Sequence, residues 1–312
     1  MILSRGLTMS KYSIIAPKKK ADLRSHFGTT YDYIKTKDVV LDVGCSTGYY
    51  GRLLIEDKNC IVDGIEIDQK DRLEAQKYLR TVFDINLDNK TWPEQLSKKS
   101  YDIIFLGDVI EHVYSAVDVL QKLKALLKPS GKIIISTPNI AHLTIRLELL
   151  SGGFAYEKTG ILDETHLKYF TLDSLKETVS QAGFNIVETD YSLNDIHPDT
   201  ITHQLEKVGL KPTKNFWKKI DSPEARAYQW RLVLEESTSK AKKHKSTPRH
   251  KPMEDNYWFV GQVKSLNKEN AILSAKIAEK DQWIKQVTDE LVAARKTLGW
   301  RIDNKLKRSL KR

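Results

Sequence analysis

Carboxylates recur in this chain at one kind of place, the end of a short apolar run. Val39-Val40-Leu41 leads into Asp42, and Cys60-Ile61-Val62-Asp63-Gly64-Ile65 into Glu66. Thr81-Val82-Phe83-Asp84-Ile85 reads as a third run with Asp84 near its end, and Tyr101-Asp102-Ile103-Ile104-Phe105-Leu106-Gly107-Asp108 as a fourth that ends on Asp108. Apolar runs of this length, bounded by turn residues and acids, read as buried parallel strands. Open α/β sheets hold ligands outside the carboxyl ends of their strands. The four acids are therefore expected along one rim, as hydrogen-bond acceptors for a ligand rich in hydroxyl and amino groups.

The turn after the first strand narrows the ligand. Gly44-Cys45-Ser46-Thr47-Gly48 precedes a helix predicted over Tyr49–Asp57, so backbone N–H groups and a helix N-terminus face the rim. A dinucleotide fingerprint needs Gly at its first, third and sixth positions. Here Ser46 is third and Tyr49 sixth, and a Tyr at the helix entry obstructs a pyrophosphate. No GxxxxGK[ST] run follows. A ligand with ribose and adenine but no phosphate fits better, and S-adenosylmethionine is such a ligand. Glu66, 22 residues after Gly44, is placed to accept the ribose hydroxyls. Asp84 is placed to accept from the adenine amine. Gly44, Cys45, Ser46, Gly48, Ile67, Ile85 and Gly107 complete the expected cofactor contacts, with Asp42 and Asp108. The same turn also matches the G-x-S-x-G elbow of hydrolases. Only about forty residues precede it, however, too few for the strands and oxyanion loop that elbow requires, and the reading leaves Glu66 without a purpose.

The segments LDVGCSTG, GIEID, FDI and YDIIFLGDVIEHV together resemble the class I S-adenosylmethionine-dependent methyltransferases. The resemblance implies an α/β fold: a Rossmann-like, seven-stranded, mostly parallel sheet with helices on both faces. It implies that Asp42 orients the methionine end of the cofactor, that Glu66 holds the ribose, and that Asp84 meets the adenine. Gly107 and Asp108 would border the sulfonium and the acceptor. The family's usual middle Gly is Ser46 here, a small residue that changes little.

A hydroxyl acceptor is a poor nucleophile until it loses its proton, and a positioned base is worth about 10²–10⁴ in rate. Asp108-Val109-Ile110-Glu111-His112 follows the fourth strand, and Asp163-Glu164-Thr165-His166-Leu167-Lys168-Tyr169-Phe170 lies in a later loop. His166 is the first candidate base and His112 the second, because imidazole titrates near neutrality, with Asp108 beside them. Glu111 and His112 are also metal-ligand types, but two without a third do not make a site, so no metal is assigned. Gly160–Thr171 resembles methyltransferases of bacterial surface-polysaccharide biosynthesis, as does Leu298-Gly299-Trp300-Arg301 with its basic end. This implies a sugar hydroxyl on a surface glycan or its lipid-linked precursor. Asp-Val-Ile-Glu-His-Val resembles ubiquinone-pathway enzymes instead, which makes a small-molecule or quinone-type O-methyltransferase the alternative. A cofactor-binding scaffold acting through its C-terminal helix is a second alternative.

The chain divides by composition. Its net charge of +10 is uneven: residues 1–200 carry 25 Lys/Arg against 28 Asp/Glu, and residues 201–312 carry 26 against 13. A near-neutral catalytic part and the absence of an NPPY-like motif after the fourth strand argue against a nucleic-acid substrate. Cys45 and Cys60, both in or beside predicted strands, read as free thiols. Residues 1–24 form a flexible arm and 25–237 the catalytic domain, with an insertion at 194–227 holding a helix over Asp199–Val208. A helix is expected over Ser115–Lys128, stopped by Pro129-Ser130-Gly131, then strands over Lys132–Thr137, Phe184–Ser192 and Tyr228–Glu235, the last antiparallel. Residues 238–260 are a basic linker. From Val263 a heptad run places apolar residues at nine of eleven a and d positions, with Asn270 at an a position. This predicts a homodimeric coiled coil over 261–298, roughly 54 Å long at about 1.5 Å per residue. Residues 299–312 interleave Ile302, Leu306 and Leu310 with the cations Lys305, Lys307, Arg308, Lys311 and Arg312, a pattern suited to an anionic membrane surface. With no visible signal peptide and no long apolar run, the expected location is cytoplasmic, peripheral at the membrane's cytoplasmic face.

Overall fold

The computed structural model describes residues 27–96 and 100–237, then 276–277, 279–280, 282–286 and 290. The chain splits into two compact units, Met1–Lys251 and Pro252–Arg312. In the first, seven strands form one sheet: β1 (Val39–Val43), β2 (Ile61–Ile65), β3 (Thr81–Phe83), β4 (Tyr101–Gly107), β5 (Leu127–Pro138), β6 (Phe184–Leu193) and β7 (Ala227–Glu236). Their order is β3-β2-β1-β4-β5-β7-β6. β1 to β5 pair in parallel, whereas β7 runs antiparallel to both its neighbours. The strand order reverses between β1 and β4, which opens a crevice at their carboxyl ends.

Eight helices among the described residues connect the strands: α1 (Tyr49–Lys58), α2 (Gln69–Ala75), α3 (Ala116–Lys124), α4 (Leu143–Leu150), α5 (Leu172–Gln181), α6 (Pro198–Lys207), α7 (Lys214–Ile220) and α8 (Pro223–Arg226). They cover both faces. Val119, Leu120 and Leu123 of α3 and Leu175 and Val179 of α5 bury one face with Leu41, Val43, Ile104 and Leu106. Tyr50 and Leu54 of α1, with Phe27, Tyr31 and Ile34, bury the other with Val40, Val62 and Ile103. Adjacent strand residues thus serve opposite cores, as a period of two requires. Asp68, Ser115 and Thr171 cap α2, α3 and α5 through their side chains, each cap worth about 1 kcal/mol.

Several boundaries differ from expectation. The helix expected to Lys128 ends at Lys124, and β5 begins at Leu127, running straight through Pro129-Ser130-Gly131. The pairing of β4 with β5 slips between Tyr101 and Ile103, and Ser130 has a φ of 67°, so a bulge absorbs the turn residues inside the strand. β3 stops at Phe83 and β4 at Gly107, which leaves Asp84 and Asp108 on loops. The insertion holds three helices where one was expected. Arg226 anchors it, pairing with both oxygens of Asp195 at 2.8 and 3.0 Å. β7 lies between β5 and β6, not at an edge.

In the second unit the described residues are helical. Ile277 and Ile284, both at expected a positions, are exposed there. The arm 1–24, the linker 238–260, the tail 299–312 and most of 261–298 lie outside the described residues. Among the described residues, no helix is long and apolar enough to cross a membrane.

Candidate active site

The turn after β1 is built from backbone that few side chains tolerate. Gly44, Ser46 and Gly48 have φ of 69°, 48° and 76°. A Cβ on Gly44 would approach Val109 Cγ2 to 2.7 Å, so glycine is required there for space as well as for conformation. Gly44 and Cys45 donate to the Ile65 carbonyl at 2.8 and 3.0 Å, which ties the turn to the end of β2. Glu66 closes the same link from the other side, accepting from the Ser46 N–H and the Asp68 N–H at 2.8 Å each. Ser46 Oγ donates to Asp71 at 2.8 Å. Burial holds the Glu66 carboxyl above its ordinary value, against the pull of those N–H groups.

Asp42 is the pivot of this rim. It is 2% exposed, and its Oδ2 has no hydrogen-bond partner among the described residues. Gly48 is the N-cap of α1 and offers no side-chain cap. The Gly51 N–H in the first turn bonds Asp42 instead and lowers its pKa a little. Burial and the nearby Glu66 charge outweigh that bond and push Asp42 up to about 7. A buried carboxylate oxygen left unmatched beside a helix N-terminus fits a ligand that brings its own donor. Asp42 lines a cleft with Gly44, Cys45, Gly107 and Asp108.

The structure gathers further residues there that strand-tip reasoning missed. Phe27, Tyr49, Tyr50, Phe105, Ser136, Gln229 and Arg231 also line the cleft. Phe27 packs on Tyr50 and Phe105 with ring centroids 4.0 and 5.2 Å apart. The turn that carries it is fastened by the Thr29 N–H, which donates to Asp190 at 2.9 Å, and Asp190 pairs with buried Arg231 at 3.2 Å. Gly28 lets the turn close over that pair, since a Cβ there would fall 2.7 Å from Arg231 Nη2. Gln229 and Arg231 come from β7, whose register sets Arg231 opposite Ser136 and Gln229 opposite Pro138. Their alternation with buried Trp230 and Leu232 is a period-two pattern visible in the sequence. It was legible as a strand, though not as a lining of the cleft.

Asp108 sits just past β4 with a φ of 55°. Gln229 Nε2 donates to its two oxygens at 2.6 and 2.7 Å, and Ser136 Oγ donates at 3.1 Å. Three short bonds from two other strands fix that carboxylate at the mouth. The expected adenine and flanking contacts are arranged differently. Asp84 is exposed and pairs with Arg72 at 2.9 Å. Ile67 is exposed beside Glu66, and Ile85 is buried in the core. Cys45 is also buried, and burial drives its thiol far up, so it contributes shape to the cleft and no nucleophile.

Beyond Asp108 the fold unites two segments that the sequence holds 54 residues apart. The N–H groups of Leu167 and Lys168 donate to the Glu111 carbonyl at 2.8 and 3.0 Å. This pins the 151–171 loop so that the rings of His112 and His166 meet at 4.7 Å. His112 Nδ1 lies 3.1 Å from the Thr165 carbonyl, and His166 Nδ1 lies 3.0 Å from the Ile161 carbonyl. A carbonyl only accepts, so in each ring Nδ1 carries the proton and Nε2 keeps a lone pair. Burial, then the neighbouring His166, lower the His112 pKa. Glu111 is 1% exposed; its Oε2 accepts from Thr137 Oγ1 at 3.0 Å, and its Oε1 has no partner among the described residues. Burial and the Asp108 charge push this carboxyl well above its usual range. One ligand atom from each of Glu111, His112 and His166 lies within 4.8 Å of the others. The sequence reading set a metal aside for want of a third ligand, and His166 stands in that place. Edge-to-face contacts continue outward from His166 to Tyr169, Phe154 and Tyr156, at 6.1, 6.0 and 5.6 Å.

Comparison with known proteins agrees with this architecture. A family model described as a methyltransferase domain matches residues 13–189. Over 126 residues the chain is 29% identical to a ubiquinone biosynthesis O-methyltransferase of Haemophilus ducreyi, covering 35% of this chain and 51% of that protein. It is 21% identical over 188 residues to the corresponding enzyme of Aeromonas salmonicida, covering 59% and 76%. The chain thus spans about half to three quarters of the length of these curated relatives. A solved structure of a SAM-dependent methyltransferase from Archaeoglobus fulgidus shares the fold at 17% identity, with a TM-score of 0.51 over 72% of this chain and 99% of that one.

Proposed function

We propose, from the premise that this chain belongs to the methyltransferase-domain family and is an S-adenosylmethionine-dependent methyltransferase, that it methylates a hydroxyl oxygen of a small, ring-bearing acceptor. Bound S-adenosylmethionine supplies a methyl group already activated by its sulfonium charge, so the protein's task is alignment and proton removal. Asp42, with an unmatched oxygen at the uncapped end of α1, receives donors from the methionine end. Glu66 faces the ribose across the turn, and Asp84 lies towards the adenine. Phe27, closed over the cleft, excludes water from the transfer. Asp108, fixed by Gln229 and Ser136, orients the acceptor. His166 Nε2 takes the hydroxyl proton, with His112 Nε2 as the second candidate.

The observation that carries the acceptor class is the run of rings from Tyr156 through Phe154 and Tyr169 to His166. A flat acceptor entering along it would meet aromatic faces and edges before reaching the imidazoles. The named activity of the curated relatives supports the same reading. The glycan acceptor implied by Gly160–Thr171 has no comparable support. In this reading residues 261–298 pair two copies of the chain, and residues 299–312 hold them against the cytoplasmic face of an anionic membrane. The heptads and the basic amphipathic stripe support that arrangement.

The test uses the purified full chain and methyl-labelled S-adenosylmethionine with two acceptor panels, phenols bearing adjacent hydroxyls and sugar nucleotides or lipid-linked glycans. Label on a phenolic oxygen, located by fragmentation mass spectrometry, is the expected outcome. Label confined to the sugars would refute the acceptor class.

A further inference from the structure

We propose that Glu111, His112 and His166 form a binding site for a divalent transition-metal ion of the Zn²⁺, Mn²⁺, Fe²⁺ or Co²⁺ class, and that this ion holds the acceptor's hydroxyl oxygen.

The arrangement is that of a prepared donor set. In both histidines Nδ1 is committed to a backbone carbonyl, Thr165 at 3.1 Å and Ile161 at 3.0 Å. That bond fixes the tautomer and turns the Nε2 lone pair outward, as carbonyl partners do behind metal-bound imidazoles. Neither Nε2 has a hydrogen bond among the described residues, although both rings are half-buried. The carboxylate repeats the pattern, with Glu111 Oε2 held by Thr137 and Oε1 unmatched in a residue 1% exposed. Three acceptor atoms, each steadied from behind and each lacking a donor in front, converge within 4.8 Å. Leaving a buried carboxylate oxygen unmatched is costly. A cation answers all three atoms at once.

Distances decide between coincidence and a site. Zinc takes nitrogen and oxygen ligands at about 2.1 Å, which sets tetrahedral neighbours roughly 3.4 Å apart. Side-chain rotation of the order of an ångström closes the present set onto an ion. The backbone is already in place, because the Leu167 and Lys168 N–H groups tie the His166 loop to the Glu111 carbonyl. Two imidazoles and one carboxylate favour a borderline metal over Ca²⁺ or Mg²⁺, which take oxygen ligands. Three protein ligands leave a coordination position open, the mark of a catalytic rather than a structural site. An acceptor hydroxyl in that position would lose its proton more readily, to solvent water, and with both Nε2 atoms then committed to the ion, the ion replaces His166 and His112 as the means of proton removal. Asp108, held by Gln229, lines the cleft with Asp42 and bears electrostatically on both Glu111 and His112.

The ion's role rests on the proposed function; its binding does not. The full chain is therefore stripped with a chelator, exchanged into metal-free buffer and titrated with Co²⁺, read by visible absorption and by elemental analysis after gel filtration. One Co²⁺ per chain is expected, with affinity at least tenfold weaker in each of Glu111→Gln, His112→Ala and His166→Ala. Cofactor affinity measured by calorimetry confirms that each variant is folded. His166→Asn, which alters a ligand less buried than Glu111, serves if Glu111→Gln does not fold. Glu66→Ala, on the cofactor rim, should bind Co²⁺ as the parent does. No Co²⁺ uptake, or uptake unchanged in all three variants, overturns the site. Site-dependent uptake with full turnover in the stripped enzyme overturns the ion's role. Site-dependent uptake without methylation of any phenol supports the site and refutes only the acceptor class.

Discussion

Replacing Asp42 with Asn should make this protein more stable and less able to bind its cofactor, and the first effect should depend on pH. Asp42 is buried, carries an unmatched Oδ2, and is pushed from 3.8 up to about 7. For an acid whose folded value is raised, the native state holds a proton that the unfolded chain has released between those two values. Stability therefore falls as pH rises from about 4 to about 7, and the deficit is complete above 7. At about 1.4 kcal/mol per pH unit the ceiling of that deficit is roughly 4 kcal/mol. Rotation of the side chain and water in the cleft reduce it, and about 2 kcal/mol is a working value. Asn keeps an oxygen for the Gly51 N–H and carries no charge. The variant should melt roughly 4–8 °C above the parent at pH 8.5, taking about 2–4 °C per kcal/mol for a domain of this size. At pH 4.5 the two should melt together. Adding saturating S-adenosylmethionine should narrow the gap at pH 8.5 by about 1.4 kcal/mol or more, because the parent binds it at least tenfold more tightly. Scanning fluorimetry at both pH values, with and without cofactor, reads all four arms. A variant that gains equally at both pH values would show that packing, not charge, was responsible, and the assignment of Asp42 as a poised acceptor would fall.

Glu66→Ala should weaken cofactor binding at least tenfold by calorimetry, since it removes the acceptor that also holds Ser46 and Asp68; unchanged affinity would end its ribose role. Gln229→Ala removes two of the three side-chain bonds that hold the Asp108 carboxylate and should lower kcat about tenfold or more while cofactor affinity holds; an unaltered kcat would mean that Asp108 needs no such fixing. Truncation after residue 260 should convert a dimer into a monomer by light scattering, and a dimer that survives the cut would remove the heptads from the interface.

How much of this was written in the sequence depends on the range of the interaction. The strands β1, β2 and β4 and the turn from Gly44 to Gly48 are local patterns, fixed by β-branched runs and left-handed positions, and they fall where periodicity put them. The Pro129-Ser130-Gly131 signal misled because a bulge lets a strand keep turn residues when its neighbours pair on either side. The acids at the strand tips were legible, yet Asp84's ion pair with Arg72 was not, because Arg72 projects from the preceding helix. The convergence of His166 on Glu111 and His112 needed two backbone bonds formed across 56 and 57 residues of chain, which no window along the sequence reveals. Gln229 and Arg231 were visible as the polar face of a strand, but their place in the cleft depends on β7 lying between β5 and β6.

That late insertion has a bearing on synthesis. A ribosome must release the chain beyond residue 236 before β7 can wedge into its slot. Until then β5 and β6 each expose an unpaired edge, and Asp108 lacks the amide that steadies it. A partly made chain can carry the whole glycine turn and still be inactive. It would also be the form most exposed to strand-exchange with its neighbours, so quality control of this enzyme falls on its last strand.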